Sequence, residues 1–325
     1  MRQNLINVSV RQIRQLTPRV REYLLASSDG KRLPSYQAGA HVEVHFNLPE
    51  SGPVVRHYSL IGGDLLVDDA LDTYRIAVQR EDRRRGSAFL HEHLEVGSAL
   101  QISVPMNNFP IDRRGNKSLL IAGGIGITPI MAMLRSTTRR SADFECVYAG
   151  RTLAEMAYHE EVMQLAGQHG SIHESGAGNR LDFPALLSKQ PASTIVYVCG
   201  PLSMVDAVRS AAQQLGWDNS RVRSELFTAG PTGDEVEFDV EIRKSGHVVR
   251  VGRDTTILDA LTAAGLHPLH DCRRGECGLC PMTVVEADGP ITHNDRYLSD
   301  EERASQRTLC ICVSRIQGTR LVLEA

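Results

Sequence analysis

The segment DCRRGECGLC, residues 271–280, places three cysteines in the spacing C-x4-C-x2-C, and Cys310 and Cys312 follow downstream. Three closely spaced thiolates and a distant fourth form the ligand pattern that holds the two irons of a [2Fe–2S] cluster. Gly275 and Gly278 let the loop wrap tightly and turn backbone N–H groups toward the sulfur atoms. The segment therefore predicts a domain folded around an iron–sulfur cluster.

Two other interpretations of these cysteines are a zinc site and free core thiols. Zinc sites favour paired C-x2-C knuckles, and Cys277 with Cys280 is the only such pair in the sequence. The chain has seven cysteines, an odd number, and five of them lie from Cys272 onward. In a chain without an export signal, this clustering indicates a metal site more than disulfides. By its spacing, the region 236–325 resembles a plant-type ferredoxin domain.

The length and charge of the chain limit its class. At 325 residues it exceeds the size at which one hydrophobic core usually keeps growing, so several domains are expected. Its net charge of −3 is too small to indicate nucleic acid or an anionic membrane as a partner. The sequence has no apolar run of membrane-spanning length and no secretory signal at its N-terminus. We therefore expect a cytoplasmic protein.

Hydrophobic patterns divide the chain into three regions. Short alternating segments in residues 1–108 predict an antiparallel β-barrel. Apolar strands alternate with helical segments in residues 113–228, one of them at 153–167, and predict a parallel sheet covered on both faces. Residues 229–235 are rich in Gly, Pro and Thr and indicate a linker. Residues 236–325 predict an α+β domain, for which the ferredoxin resemblance implies the β-grasp fold.

A second motif, RHYSL at residues 56–60, resembles the R-x-Y-S-L signature of the ferredoxin-reductase-like flavoprotein superfamily. An arginine supplies a fixed cation for the flavin phosphate, and a tyrosine can lie against the isoalloxazine ring. The segment RRGS, residues 84–87, stands before a predicted helix and indicates a phosphate-binding turn. The residues assigned to the flavin in this way are Arg56, His57, Tyr58, Ser59, Ala77, Val78, Gly86 and Ser87.

A third motif, AGGIGITP at residues 122–129, follows an apolar strand and precedes a helix, the context in which a glycine turn admits a pyrophosphate. The superfamily pairs such a turn with the CGP found here at residues 199–201. Resemblance also implies that Phe227 stacks near the flavin. Cys199 is alternatively a small buried core residue, and Cys146 is predicted to be core. The residues assigned to the nucleotide are Gly123, Gly124, Gly126, Thr128, Pro129, Cys199, Gly200 and Pro201.

Flavin, nucleotide and ferredoxin modules in this order resemble the phthalate dioxygenase reductase family, which includes reductases of the vanillate O-demethylase and carnitine oxygenase type. The resemblance covers essentially the whole chain. It implies FMN, NADH as hydride donor, and transfer of single electrons through a [2Fe–2S] cluster to a separate Rieske-type oxygenase. Two alternatives are a stand-alone reductase of a small acceptor and a redox-sensing binding protein. The residues expected to position hydride and electron transfer, without acid or base chemistry, are Tyr58, Ser59, Cys199 and Phe227.

Two late cysteines compete for the fourth ligand position. Cys310 lies at the interval after Cys280 that is usual in plant-type ferredoxins, so spacing favours Cys310. The ending CVSR, residues 312–315, matches the context of the family, and a Gly-Pro turn at 289–290 can absorb the two extra residues. We therefore predict Cys312 as the fourth ligand. The predicted ligands are thus Cys272, Cys277, Cys280 and Cys312.

Overall fold

The computed structural model describes residues 5–49, 52–62, 72–81, 85–112, 117–227 and 235–324. These residues belong to two compact units. The first unit comprises Met1–Val44, Arg56–Arg80 and Leu90–Phe227, and the second comprises His45–Val55, Glu81–Phe89 and Thr228–Ala325. Most of the predicted linker, residues 229–234, lies outside the described residues, so the predicted domain bounds stay a prediction. Among the described residues, no helix combines the length and the apolar content needed to cross a membrane.

A six-stranded antiparallel sheet forms where the short alternating segments were predicted. Its strands are β1 (Ile6–Thr17), β2 (Val20–Ser27), β3 (His41–Leu48), β4 (Gly52–Ser59), β5 (Thr73–Gln79) and β6 (Ala99–Ile102). The sheet order is β4-β3-β6-β1-β2-β5. Helix α1 (Arg85–His93) begins earlier than predicted, so Gly86 and Ser87 lie in its first turn and not in a turn ahead of it.

A five-stranded parallel sheet follows, in the order β11-β10-β7-β8-β9. Its strands are β7 (Lys117–Gly123), β8 (Asp143–Gly150), β9 (Gly170–Glu174), β10 (Thr194–Cys199) and β11 (Val222–Glu225). Its helices are α2 (Ile127–Arg139), α3 (His159–Ala166), α4 (Phe183–Ser188) and α5 (Leu202–Gln214). Successive residues of β7 enter two different cores: Leu120 packs with α2 and α3, whereas Leu119 packs with α4 and α5. Helices therefore cover both faces of the sheet, as the sequence predicted. A strand covered on both faces is apolar at successive positions, which is the pattern that the prediction used.

The predicted helix over residues 153–167 is shorter than expected. Residues Leu153–Glu155 form a single 3-10 turn, and Tyr158 has a φ of 61°, in the left-handed region. Because this conformation interrupts a right-handed helix, α3 begins only at His159.

The C-terminal residues form a mixed sheet in the order β13-β12-β18-β14-β16 and a small sheet of β15 and β17. The strands are β12 (Phe238–Ile242), β13 (His247–Val251), β14 (Pro281–Ala287), β15 (Ile291–Thr292), β16 (Thr308–Cys310), β17 (Arg315–Ile316) and β18 (Arg320–Glu324). The helices are α6 (Ile257–Ala263) and α7 (Asp300–Ser305). Strands β12 and β18 pair in parallel and the others antiparallel, and α6 packs into the same core. The cysteine loop lies between α6 and β14, and the predicted α+β ferredoxin fold is confirmed.

Candidate cofactor sites

The fourth residue of the RHYSL motif carries a buried hydroxyl. Ser59 is the last residue of β4, and its Oγ is buried without a hydrogen-bond partner among the residues that the structure describes. The backbone that follows is held in place, because Leu60 N–H donates to Ala40 O at 2.8 Å and Gly62 N–H donates to Tyr36 Oη at 2.9 Å. A buried polar atom left unpaired costs about 1–3 kcal/mol. Ser59 Oγ therefore fits a polar ligand atom, such as one on the flavin ring that the motif implies.

The rest of the motif alternates along β4. Arg56 and Tyr58 are half-buried and, two residues apart, share one side of the strand. His57 faces the other way: its Nε2 lies 3.6 Å from the buried carboxylate of Glu43, and its ring centre lies 5.1 Å from that of His41. The structure thus gives His57 a protein partner, which sequence reasoning had not anticipated. No sequence signal joined these residues, because Glu43 and His57 come from different strands.

The other residues assigned to the flavin lie on β5 and α1. Ala77 and Val78 are buried, and Val78 O accepts a hydrogen bond from His91 Nε2 at 2.8 Å. Ser87 Oγ accepts the N–H of Glu81 at 3.0 Å, which leaves the hydroxyl proton available for a ligand. N–H groups in the first turn of a helix such as α1 have no acceptor within the helix and suit an anion.

The two glycine motifs meet at one crevice. Strands β7 and β10 are neighbours in the parallel sheet, and Cys199 is aligned with Ala122. The chain leaves β7 toward β8 on one side, whereas β10 leads to β11 on the other, so the crevice lies where the winding of the sheet reverses. Ligands of open parallel sheets bind at such a switch point, beyond the carboxyl ends of the strands.

Each glycine in the crevice has its own reason to lack a side chain. A Cβ on Gly126 would overlap the backbone of Cys199, and one on Gly200 would lie 2.9 Å from Met204 Sδ. These two glycines allow the loops to pack against each other. Gly124 is different: its φ is 53°, and its Cβ would meet no described atom within 4 Å. Open space above a left-handed glycine is what a closely approaching pyrophosphate requires.

Several side chains fix the crevice. Thr128 Oγ1 donates to Ile125 O at 3.1 Å and closes the turn at the start of α2. Tyr148 Oη lies 3.2 Å from Gly124 O and 3.1 Å from Ala157 O. The hydroxyl therefore helps to hold the backbone of the glycine turn in place. Pro129 lies in the first turn of α2, where its missing N–H has no consequence. Sequence reasoning missed Tyr148 because an aromatic residue within a buried strand is ordinarily assigned to the hydrophobic core.

The remaining predicted residues differ in exposure. Cys199 is fully buried at the end of β10, whereas Phe227 follows β11 with 38% of its surface exposed. Burial raises the pKa of the Cys146 thiol to about 12, as suits an inert core residue. The exposed ring of Phe227 is available for stacking on a bound ring, in line with the resemblance.

A buried polar contact joins the antiparallel sheet to the nucleotide region within the first unit. Tyr158 Oη donates to Glu22 Oε2 at 2.7 Å. Arg14 Nε and Arg75 Nε lie 3.2 and 3.5 Å from the same carboxylate. Burial, with Glu22 beside it, raises the pKa of the Tyr158 hydroxyl, so Tyr158 acts as a hydrogen-bond donor at neutral pH. The left-handed backbone at Tyr158 brings its ring to this position.

The cysteine loop surrounds its sulfur atoms with backbone donors. Cys272 Sγ accepts the N–H groups of Arg274, Glu276 and Cys277 at 3.3, 3.5 and 3.4 Å. Such donors stabilise the negative charge that a thiolate ligand carries. Gly275 and Gly278 both have a φ of 73°, and a Cβ on either would collide with residues 295 or 297. The residues therefore fit a cluster held by thiolates in a tightly wrapped loop.

The late cysteines both reach Cys280. Cys280 Sγ and Cys312 Sγ lie 3.1 Å apart, and Gly275 N–H also hydrogen-bonds to the Cys312 sulfur. Hydrogen bonds from Cys310 and then from Cys312 lower the pKa of the Cys280 thiol to about 3. The same contacts, together with burial, raise the pKa of Cys310 and Cys312.

Known proteins match this architecture along its length. A family model for the 2Fe-2S iron-sulfur cluster binding domain matches residues 240–317, and one for the N-terminal domain of dimethylamine monooxygenase subunit DmmA-like proteins matches residues 103–222. The heme-dependent oxidative N-demethylase beta subunit of Ectopseudomonas mendocina (strain ymp) is 40% identical over 98% of this chain and 99% of its own. The carnitine monooxygenase reductase subunit of Acinetobacter pittii (strain PHEA-2) is 36% identical over 95% of this chain and 99% of its own. The solved structure of phthalate dioxygenase reductase covers 99% of this chain and 98% of its own, with a TM-score of 0.86 at 28% identity.

The chain belongs to the phthalate dioxygenase reductase family. This reductase is an oxidoreductase subunit that passes electrons through a flavin and a [2Fe–2S] cluster and works with an oxygenase. The predicted family, fold and enzyme class are therefore confirmed.

Proposed function

We propose that this chain is the NADH-dependent reductase component of a two-component Rieske-type oxygenase, with FMN as its flavin. The observation that carries the proposal is that one chain combines a crevice for a nucleotide, a buried unpaired hydroxyl at the end of a flavin motif, and a cysteine loop rich in backbone donors. When bound, FMN would accept a hydride from NADH and release the electrons singly to the [2Fe–2S] cluster.

The nucleotide crevice supports NADH as the donor. Gly124 leaves room for the pyrophosphate, and the first turn of α2 supplies N–H groups for its charge. Glu174 ends β9 beside Gly150, and its carboxylate accepts the N–H of Leu153 at 2.9 Å. An acidic group at the edge of such a sheet suits a ribose hydroxyl and repels a 2′-phosphate. Arg151 is the nearby cation that would oppose this preference.

The flavin residues suit the phosphate and the ring of the proposed FMN. Arg56 would meet the phosphate with its cation. The first turn of α1, which carries Gly86 and Ser87, separately offers N–H donors that suit an anion. Ser59 Oγ would donate to or accept from the ring, which satisfies a hydroxyl that has no partner among the described residues. Phe227, exposed after β11, would stack near the ring.

The proposed cluster ligands are Cys272, Cys277, Cys280 and Cys312. The 3.1 Å separation of the Cys280 and Cys312 sulfur atoms supports Cys312, because two thiolates on one iron must be neighbours. The hydrogen bond from Gly275 N–H adds to this support, since it gives Cys312 the same kind of loop donor that Cys272 receives. Cys277 is exposed, so as a ligand it would hold the side of the cluster that is nearest to solvent.

An oxygenase that uses heme in place of a Rieske centre is a second candidate for the partner. It is favoured by the 40% identity to a heme-dependent oxidative N-demethylase beta subunit. Both candidates leave the role of this chain unchanged, because a reductase delivers electrons without touching the oxygenase substrate.

Cofactor analysis and electron delivery test the proposal. Anaerobically purified protein should release one FMN and contain two irons and two labile sulfides per chain. With NADH it should reduce a Rieske oxygenase encoded near its own coding sequence, and the Rieske absorption band should bleach. Extraction of FAD, or zinc in place of iron, would refute the cofactor assignment. Bleaching of a heme Soret band in place of the Rieske band would select the second candidate.

A further inference from the structure

Tyr158 lies where the antiparallel sheet and the nucleotide region meet within the first unit. Its Oη donates to Glu22 Oε2 at 2.7 Å, and both side chains are buried. The guanidinium of Arg14 lies 5.9 Å from the centre of the Tyr158 ring. One hydrophobic cluster contains both Tyr158 and Ala77, one residue from each region. Apolar packing of this kind is non-directional, so a directional hydrogen bond is needed to fix one alignment of the two regions.

On the nucleotide side, this contact connects to the glycine turn. Ala157 precedes Tyr158 in the chain, and its carbonyl oxygen lies 3.1 Å from Tyr148 Oη. The same hydroxyl lies 3.2 Å from the carbonyl oxygen of Gly124, the residue above which the crevice is open. One side chain therefore holds both carbonyl groups. A displacement of Tyr158 would be passed through it to the turn that faces the pyrophosphate.

On the other side, the contact connects to a strand that carries flavin residues. Glu22 lies on β2 directly opposite Ala77 of β5, one of the residues assigned to the flavin. Arg75 is also on β5, and its Nε lies 3.5 Å from the Glu22 carboxylate. Because β5 itself holds the acceptor, the position of the Tyr158 hydroxyl is fixed relative to that strand.

We propose that Tyr158 is a positioning residue for hydride transfer, because its hydrogen bond to Glu22 holds the nucleotide crevice in place relative to β5. This inference rests on the proposed function, in which NADH and FMN occupy the two sites. Hydride transfer depends steeply on the alignment of donor and acceptor, and a misplacement of about 1 Å can cost about 100-fold in rate. The φ of 61° at Tyr158 fits this role, since such backbone conformations persist where surrounding contacts maintain them and cluster at functional sites.

Stopped-flow reduction of the full-length holoprotein by NADH tests the inference, because it separates the limiting rate of flavin reduction from the Kd for NADH. Tyr158→Phe removes the donor, Glu22→Ala removes the acceptor, and Glu22→Gln keeps an acceptor on a side chain of the same length. Tyr74→Phe is the matched control, since Tyr74 is also buried and donates to Pro34 O at 2.5 Å, between β2 and β3. Hydrogen exchange of the same proteins, read on peptides covering residues 122–129, is a second measurement that does not depend on turnover.

We expect the limiting rate to fall about tenfold or more in Tyr158→Phe and in Glu22→Ala, with little change in the Kd for NADH. Glu22→Gln should keep more of the rate than Glu22→Ala, and Tyr74→Phe should keep the wild-type rate. Backbone amides of residues 122–129 should exchange faster in Tyr158→Phe than in Tyr74→Phe, because the turn loses its support.

An unchanged limiting rate, or unchanged exchange at the glycine turn, in Tyr158→Phe would overturn the inference while leaving the proposed function intact. An equal loss of rate in Tyr74→Phe would also overturn it, because the effect would then come from lost stability and not from alignment. Wild-type holoprotein that NADH fails to reduce would overturn the proposed function and this inference together.

Discussion

Replacing Gly124 with alanine separates nucleotide binding from folding. Gly124 has a φ of 53°, and its new methyl group would enter open space on the side that a pyrophosphate must approach. The same substitution at Gly216, with a φ of 70° and equally open surroundings, imposes a similar backbone penalty elsewhere. Gly216 lies beyond the far end of α5, a helix of 13 residues that spans about 20 Å.

The two variants should lose similar stability and differ in NADH affinity. A left-handed alanine costs about 1–2 kcal/mol, which lowers the melting temperature of either protein by several degrees. In Gly124→Ala the methyl group also displaces a charge-assisted hydrogen bond to the pyrophosphate, a loss of about 1.5–3 kcal/mol. The Kd for NADH should therefore rise about 10- to 150-fold, since 1.4 kcal/mol corresponds to a factor of ten.

The assay is anaerobic stopped-flow reduction of the flavin at increasing NADH concentration, which gives the Kd apart from the rate of hydride transfer. Differential scanning calorimetry gives the melting temperatures. A Gly124→Ala protein that binds NADH as tightly as Gly216→Ala would refute the placement of the nucleotide at this crevice.

Three further substitutions or truncations have defined outcomes. Arg56→Ala should weaken FMN binding by about 10- to 150-fold, because it removes a charge-assisted phosphate contact worth about 1.5–3 kcal/mol, and NADH binding should change less. Titration of the apoprotein with FMN measures this change. Full FMN occupancy at low micromolar protein would contradict it. Tyr158→Phe removes the hydrogen bond to Glu22 and should lower the free energy of unfolding by about 1.5–3 kcal/mol in urea denaturation. Tyr197→Phe, which removes an uncharged contact from Asp112 N–H, is the control and should cost about 0.5–1.5 kcal/mol. A chain ending after residue 231 should still reduce ferricyanide with NADH but should fail to reduce cytochrome c. The reason is that the hydrophobic core of the C-terminal domain is built from residues between Phe238 and Leu323. Loss of NADH oxidation in the truncated chain would show that this domain is not separable.

The local motifs were readable without a structure because short-range geometry controls them. The spacing of Cys272, Cys277 and Cys280 requires a tight loop, and the glycines at 275 and 278 allow it because glycine adopts a positive φ without strain. In the same way, a strand followed by AGGIGITP and a helix predicts a nucleotide turn, since the backbone conformation is set within a few residues. The alternation of apolar strands and helices likewise predicted the parallel sheet.

Contacts between distant segments were beyond such reasoning. The adjacency of β7 and β10 follows from the winding of the sheet, and Tyr158 interrupts the predicted helix in a conformation that brings it to Glu22, 136 residues away. The sequence also left Cys310 and Cys312 as rivals for one position. The tertiary structure brings both sulfur atoms to Cys280, because β16 and the turn after it pack against the end of the cysteine loop. Side-chain environments of this kind depend on residues far apart in the chain, so the sequence determined which groups are present and only the folded molecule decided which of them meet.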